Sequence, residues 1–226
     1  MGMDRVDAIL MASGFSTRFG NENKLLIPFR GKPLVRHTLE LAAGLAGGAP
    51  GGGGVFHRVF FIAACDPVAA LGADLPVILI RNHHPDLGQR ESIRLGVGAS
   101  DADYYMFFPC DQPLLDPPTL SLLIRSRSRG RIVEPVFQGR PSSPTLFSAA
   151  FREELLSLGP QEHGRDIKQR HKDALFGVEV KDPSILEDID SPEALQRLAG
   201  LPVDGAVSRL YKEYSNGKKQ KPVKGG

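Results

Sequence analysis

Apolar runs that are long enough to form buried strands alternate along this chain with segments of helical periodicity. Strands that are covered on both faces have continuous apolar runs, and strands that alternate with helices form mostly parallel sheets. The sequence therefore predicts a three-layer α/β/α fold with a mostly parallel sheet. The expected strands are Val6–Ala12, Arg58–Ala64, Val77–Ile80, Asp103–Phe108, Arg131–Phe137 and Leu175–Val180, and the expected helices are Pro33–Ala46, Arg90–Ala99, Leu120–Ser126, Ala149–Leu158 and Pro192–Ala199.

The length of the chain suits one large domain with a small appendage. Of its 226 residues, 41% are hydrophobic and 24% are charged, so a core can form without disulfides or metal ions to hold it together. We expect a globular domain over residues 1–203 that contains a flexible glycine-rich loop at 46–54. A C-terminal helix and a disordered basic tail are expected over 204–226.

Charge and cysteine content exclude several classes of protein. The formal net charge is +2, and the tail lysines carry more than that surplus, so the body offers no basic surface for nucleic acid. The two cysteines do not make a disulfide framework, and the apolar runs are too short to span a membrane. We therefore expect a cytoplasmic protein that binds neither nucleic acid nor membrane.

The segment after the first strand has the composition of a phosphate-binding loop. Ligands of such sheets bind outside the carboxyl ends of the strands. Residues 11–20 are mostly small, which permits a tight turn whose N–H groups face one anion, and Arg18 and Lys24 add positive charge. The spacing matches neither a Walker loop nor a dinucleotide fingerprint. A nucleoside triphosphate is the expected ligand, and a simple strand-to-helix turn is the alternative.

Asp111 lies where a catalytic carboxylate is expected, immediately after the strand Asp103–Phe108 and its Pro109-Cys110 extension. Mg²⁺ is usually held by one or two carboxylates together with substrate phosphates. Asp111 is therefore a candidate metal ligand that would act on the α-phosphate. The alternative is a turn-forming aspartate before Pro113.

Taken together, these motifs resemble the signature of the molybdopterin nucleotidyltransferases (the MobA-like NTP transferase family), and more closely that of the molybdenum cofactor cytidylyltransferases. The resemblance extends from about Asp4 to about Leu198 and leaves out the glycine-rich loop and the tail. It implies a Rossmann-like nucleotidyltransferase fold. The residues that carry it are Ala12-Ser13-Gly14, Ser16, Arg18-Phe19-Gly20, Lys24, Gly31-Lys32-Pro33-Leu34, Gly88, Glu91-Ser92-Ile93-Arg94, Cys110-Asp111-Gln112-Pro113, Gly139–Phe147 and Asp188–Glu193.

The resemblance also assigns roles to individual positions. Asp190 would be a second metal ligand, although the Asp-Ser-Pro sequence there is also ordinary capping chemistry for the last helix. The implied catalytic residues are Arg18, Lys24 and Asp111, the implied nucleotide-binding residues are Ala12, Ser13, Gly14, Ser16, Arg18, Lys24, Gly88 and Ser92, and the implied Mg²⁺ ligands are Asp111 and Asp190.

The activity that the resemblance implies is transfer of CMP from CTP to molybdopterin, with release of pyrophosphate. Ser13 favours CTP, because the guanylyl-transferring relatives usually have glycine at this position and a Cβ takes up room that a purine needs. A transient contact with a molybdenum hydroxylase is expected. The segment Gln161–Asp166 departs from the cytidylyl pattern, since the position of the family's arginine is taken by Asp166. Transfer from another nucleotide, a sugar-phosphate acceptor, or a binding and delivery role for the cofactor remain as alternatives.

Overall fold

A computed structural model describes residues 4–14, 23–47 and 54–200. Within these ranges the strands are β1 (Val6–Ala12), β2 (Pro28–Phe29), β3 (Lys32–Pro33), β4 (Arg58–Ala63), β5 (Ile78–Arg81), β6 (Tyr104–Pro109), β7 (Ile132–Phe137), β8 (Arg140–Pro141), β9 (Thr145–Ser148) and β10 (Leu175–Glu179). The α-helices are α1 (Leu34–Gly44), α2 (Asp66–Ala69), α3 (Gln89–Ala99), α4 (Pro117–Arg125), α5 (Arg152–Leu156), α6 (Gly164–Arg170) and α7 (Pro192–Ala199).

Each strand and helix expected from the apolar pattern is present, with shifts at the ends. Helix α4 begins three residues early because Asp116 caps it: its Oδ1 accepts a hydrogen bond from Thr119 N at 2.9 Å. The segment Ala149–Leu158 is divided into a 3₁₀ turn at Ala149–Phe151 and the short helix α5.

The main sheet confirms the predicted fold class. Its order is β10-β7-β9-β6-β1-β4-β5, with β8 paired to β7. Pairs β1–β4, β1–β6, β4–β5 and β7–β10 are parallel, whereas β9 runs antiparallel to both β6 and β7. Strand β1 lies between β4 and β6, so the chain leaves it in one direction and later returns on its other side. That reversal of strand order opens a crevice at the carboxyl ends of β1 and β6.

Alternate residues of β1 face two separate apolar layers, as the two-residue period of a strand requires. Ala8 and Leu10 belong to the layer that contains Val35 of α1. Ile9 belongs to the opposite layer, together with Ile93 of α3. The sheet is therefore covered on both faces, which explains why β1 is almost wholly apolar in sequence.

A smaller third cluster fixes the C-terminal part of the described chain. Ile189 and Leu195 pack against Ile27, Phe29 and Leu34, so α7 and the segment before it lie against the β2–β3 hairpin. This packing brings residues 186–198 back to the carboxyl end of β6.

Several expectations lie outside the described residues: Ser16 and Arg18, the centre of the glycine-rich loop, and the helix and tail at 204–226. None of the helices in the described ranges combines the length and the apolar character needed to cross a bilayer.

One buried carboxylate interrupts the apolar pattern of β1. Asp7 has no exposed surface, and its oxygens accept hydrogen bonds from Arg58 N at 3.0 Å, Arg58 Nη2 at 2.8 Å, Ser100 Oγ at 2.6 Å and a ring nitrogen of His57 at 3.1 Å. Asp101 also pairs with Arg58, but its side chain is mostly exposed. The same arginine therefore has one buried and one exposed carboxylate partner.

This contrast gives a stability prediction. Asp7→Ala should lower the free energy of unfolding by about 3–5 kcal/mol, because it leaves Arg58 and Ser100 without their buried partner. Asp101→Ala, the matched control, should cost about 1 kcal/mol or less, because solvent screens exposed pairs. Urea unfolding followed by circular dichroism measures both. Equal losses would contradict the role given to burial.

Candidate active site

The crevice at the carboxyl ends of β1 and β6 collects most of the predicted site residues that the structure describes. Ser13 and Gly14 follow β1 directly, and Asp111 follows β6 after Cys110. Because β1 and β6 are parallel neighbours in register, these residues emerge at the same edge of the sheet.

Lys24 joins two carboxylates that are far apart in sequence. Its Nζ lies 2.6 Å from Asp111 Oδ2 and 2.7 Å from Asp190 Oδ1. The side chains of Lys24 and Asp111 are 17% exposed, and that of Asp190 is 52% exposed. Burial acts to lower the pKa of Lys24, but Asp111 and then Asp190 raise it above its ordinary value. The ammonium group therefore stays charged between the two carboxylates.

Local backbone structure places these three groups. Asn23 caps the 3₁₀ turn Lys24–Leu26 by accepting a hydrogen bond from Leu25 N at 3.0 Å. On the other side, Ile189 N donates to Asp111 O at 2.9 Å. This bond, with Ile189 buried in the third apolar cluster, brings Asp190 next to the end of β6.

The carboxylates fit a divalent metal ion bound with a phosphate ligand. Asp111 Oδ1 is buried and has no hydrogen-bond partner in the described structure, so an acceptor remains there for a cation. Burial, followed by the negative charge of Asp111, raises the pKa of the neighbouring Asp188 to about 6, so a third carboxyl group lies close to this pair. No three His, Cys, Asp or Glu side chains of the described chain converge on one metal position. Two carboxylates completed by substrate phosphates are the usual Mg²⁺ arrangement.

A cavity of about 220 Å³ lies on the α3 side of the β1 end. Four of its lining residues are predicted nucleotide-binding residues, namely Ser13, Gly14, Gly88 and Ser92. Sequence reasoning missed the other four, which are Met11, Pro85, Gln89 and Pro109. None of the described lining residues carries a formal charge, so this part of the cavity suits a base or a sugar better than a phosphate.

The wall of this cavity is shaped by backbone geometry. Gly88 precedes α3 with φ of +73° and ψ of −158°, a conformation that a side chain would strain. Ser13 is 8% exposed, and its Oγ donates to Ile62 O at 3.3 Å, which fixes the orientation of its side chain at the cavity wall. Ala12, by contrast, is buried in the apolar layer of α1, so any contact with a nucleotide must come from its backbone.

A second cavity, of about 270 Å³, adjoins the first, because Met11 and Gln89 line both. It includes part of the segment that resembles the acceptor side in sequence, while Gly139 lies in the exposed turn between β7 and β8 and Arg140 is exposed at the start of β8. The lining residues are Met11, Gln89, Ile93, Phe107, Ser143, Thr145, Phe147, His163, Gly164, Arg165 and Lys168. The two cavities could hold two substrates side by side.

The family follows from a comparison with known domains. The sequence model of the MobA-like NTP transferase domain matches residues 8–175 of the chain, which is well over half of its length. The chain belongs to the MobA-like NTP transferase family. Nucleotidyl transfer is the chemistry of this domain, and it agrees with the strand-end carboxylates beside the two cavities.

Two curated relatives of this MobA-like chain carry different names. Nicotine blue oxidoreductase from Paenarthrobacter nicotinovorans is 28% identical over 204 residues, covering 85% of this chain and 96% of that protein. Molybdenum cofactor guanylyltransferase from Pseudomonas fluorescens (strain SBW25) is 30% identical over 129 residues, covering 57% of this chain and 58% of that protein. Neither name specifies CTP.

Solved structures share the fold of this MobA-like domain. A nucleotidyl transferase from Methanothermobacter superposes with a TM-score of 0.73 at 19% identity, covering 94% of this chain and all of that one. A Mycobacterium tuberculosis H37Rv protein solved in complex with manganese has a TM-score of 0.62 at 20% identity, covering 87% of this chain and 98% of that one. At these identities the likeness establishes the fold alone.

The position of Lys24 gives a prediction about stability and pH. Lys24→Met should lower the free energy of unfolding at pH 8 by on the order of 2 kcal/mol, a value between those of exposed and buried pairs. The substitution also removes a positive charge that lowers the pKa of Asp188, which burial and then Asp111 raise to about 6, so stability is lost as the pH rises through that raised value. The loss should therefore be smaller at pH 5, and Mg²⁺ should reduce it at pH 8.

Urea unfolding at the two pH values, with and without MgCl₂, measures this effect. Lys32→Met is the matched control, because Lys32 on β3 pairs with a different carboxylate, Glu40 of α1, and the two side chains are 39% and 35% exposed. A loss for Lys24→Met that did not change with pH or Mg²⁺ would show that Lys24 acts through packing alone.

Proposed function

We propose that this protein transfers CMP from CTP to molybdopterin, with release of pyrophosphate, in a reaction that requires Mg²⁺. The observation that carries the proposal is the bridge from Lys24 to Asp111 and Asp190 at the sheet edge, beside two adjoining cavities. We place the activity in the cytoplasm, and we expect a transient contact with a molybdenum hydroxylase that receives the product.

The carboxylates and the basic residues of the site have different roles in the proposed reaction. Asp111 and Asp190 would hold Mg²⁺, which would neutralise charge on the triphosphate and on the departing pyrophosphate. Lys24 can turn from the carboxylates to the β- and γ-phosphates, and Arg18 is assigned the same task from its place in the sequence motif. A terminal phosphate oxygen of the acceptor attacks the α-phosphorus in line, and the bond from that phosphorus to the pyrophosphate oxygen breaks. The attacking phosphate is already ionised at neutral pH, so positioning and charge stabilisation suffice without a strong general base.

The choice of CTP rests on Ser13. Ser13 lines the first cavity, and its hydroxyl group donates a hydrogen bond to the backbone of β4, so the side chain cannot easily move away from a bulky base. GTP is the second candidate, because several curated relatives are named molybdenum cofactor guanylyltransferases. In that case the mechanism would be unchanged and the base would differ.

Pyrophosphate release with Mg²⁺ and molybdopterin, measured separately with CTP, GTP, ATP and UTP, tests the proposal. The wild-type protein should prefer CTP. Ser13→Gly should raise kcat/KM for GTP relative to CTP by about tenfold or more, because it removes the Cβ from the base cavity. Ser13→Ala is the matched control: it keeps the Cβ and should retain the wild-type preference.

The outcomes of this experiment are separable. A wild-type preference for GTP would keep the mechanism and overturn the base assignment. Molybdopterin binding without pyrophosphate release from any nucleotide would indicate a binding and delivery protein instead. Release with sugar phosphates in place of molybdopterin would assign a different acceptor.

The carboxylates give a second kinetic prediction. Asp111→Asn and Asp190→Asn should each lower kcat by roughly a hundredfold or more and raise the Mg²⁺ concentration needed for half-maximal rate, because an amide is a poor metal ligand. Asp173→Asn is the control, since Asp173 lies in the 3₁₀ turn Lys172–Ala174, outside both cavities. Full activity of the Asp111 variant would refute the metal assignment.

A further inference from the structure

A largely buried ion pair between Glu134 and Lys168 lies at the second cavity, and none of the steps of the proposed reaction uses it. Glu134, in the middle of β7, is 4% exposed. Its Oε2 accepts a hydrogen bond from Lys168 Nζ of α6 at 2.6 Å. Lys168 also lines the cavity, and its side chain is 22% exposed, so the pair extends from the sheet to the cavity wall.

The pair is poorly explained by stability. Glu134 lies on the same face of β7 as Ile132, which belongs to the apolar layer that also contains Ile167 and Phe147. Removing both charges from water is costly, and a buried ion pair often stabilises a protein no more than apolar residues of similar size would. A role at the cavity accounts better for charged groups at this place.

The composition of the cavity indicates what kind of ligand it binds. Among the residues that the structure describes, its lining contains Lys168 and Arg165 but no aspartate or glutamate, so the formal charge of this wall is positive. Phe107 and Phe147 line it as well, with ring centroids 5.7 Å apart. A ligand that combines an anionic group with an aromatic ring system matches both features.

Glu134 fixes the ammonium group without using all of its hydrogen-bonding capacity. A lysine ammonium has three N–H donors, and the bond to Glu134 uses one of them. The remaining donors can reach a ligand from a side chain whose position is already set. Such pre-ordering lowers the entropy lost when the ligand binds.

We propose that Lys168 is a specificity-determining residue that binds an anionic group of the acceptor, and that the second cavity selects a phosphorylated pterin over a sugar phosphate. This inference rests on the proposed function, since it identifies the second cavity as the acceptor site. It assigns the choice of acceptor to an ion pair on β7 and α6, separate from the carboxylates that act on the nucleotide.

The test compares the acceptor side with the nucleotide side of one reaction. In Lys168→Met, the KM for molybdopterin should rise by about ten- to a hundredfold, as expected for the loss of a charge-assisted hydrogen bond. The KM for the nucleotide should stay within about twofold. Lys168→Arg should restore most of the acceptor affinity, which a purely structural role would not predict.

Two further variants distinguish a loss of acceptor binding from a loss of folding. The double variant Lys168→Met with Glu134→Gln removes both charges at nearly constant volume, so it should fold and still bind molybdopterin weakly. Arg170→Met is the matched control, because Arg170 lies on the same helix but pairs with Glu154 and Glu162 on the surface. Arg170→Met should leave both KM values unchanged.

Direct titration of molybdopterin into each variant, followed by its fluorescence, separates the possible failures. An unchanged dissociation constant in a folded double variant would overturn the inference while leaving nucleotidyl transfer intact. Failure of the wild-type protein to bind molybdopterin would also overturn it. Tight wild-type binding that depends on Lys168, without pyrophosphate release from any nucleotide, would support the inference and refute the proposed transfer.

Discussion

The contact of one lysine with two carboxylates is the interaction on which the candidate active site depends. Lys24 follows β1, Asp111 follows β6 and Asp190 precedes α7, so only the folded chain brings them together. The parallel register of β1 and β6 supplies one part of this arrangement. The packing of Ile189 beneath the β2–β3 hairpin supplies the other. Formation of the site therefore depends on the third apolar cluster, because the packing of Ile189 in that cluster holds Asp190 near the end of β6.

The concentration of negative charge at this edge of the sheet has an energetic consequence. Asp188 lies next to Ile189 and close to Asp111, and burial, followed by the negative charge of Asp111, raises its pKa to about 6. Asp111 also has a buried oxygen, Oδ1, that accepts no hydrogen bond from the part of the chain that the structure describes. An arrangement selected for stability alone would not leave these groups in such surroundings. It is expected where a cation and a polyphosphate complete the charge balance.

The sequence predicted the fold class, and it located the residues that follow β1 and β6, because both depend on local patterns. Continuous apolar runs identify β1 and β4 as covered strands, and Ser13 and Asp111 are found simply by following β1 and β6 to their ends. The antiparallel position of β9 between β6 and β7 depends on long-range pairing, and helix α6 has only one buried residue, Ile167, so neither produces a strong pattern. Glu134 can be noticed in the sequence, because it is the single charged residue in the strand Ile132–Phe137. Its partner Lys168 is 34 residues away, so the ion pair itself cannot be predicted from a local pattern. At the position where the resemblance would place an arginine, Asp166 accepts a hydrogen bond from His163 N at 2.6 Å and caps α6, which the sequence alone does not reveal.

In the proposed reaction the two cavities recognise the substrates, whereas Lys24 and the carboxylates beside them act on the phosphates. In-line attack by an ionised phosphate needs little acid or base catalysis, so selectivity must come from the walls that hold the two substrates. The first cavity, which we propose holds the nucleotide, is lined among the described residues by uncharged groups that include Ser13 and Gly88, so these residues can discriminate only by shape and hydrogen bonding. The second cavity, which we propose holds the acceptor, is lined by Arg165 and Lys168, so it can discriminate by charge. Since Met11 and Gln89 line both cavities, a change in either side chain should alter the distance between the two substrates and thus the rate, even though neither residue carries a charge.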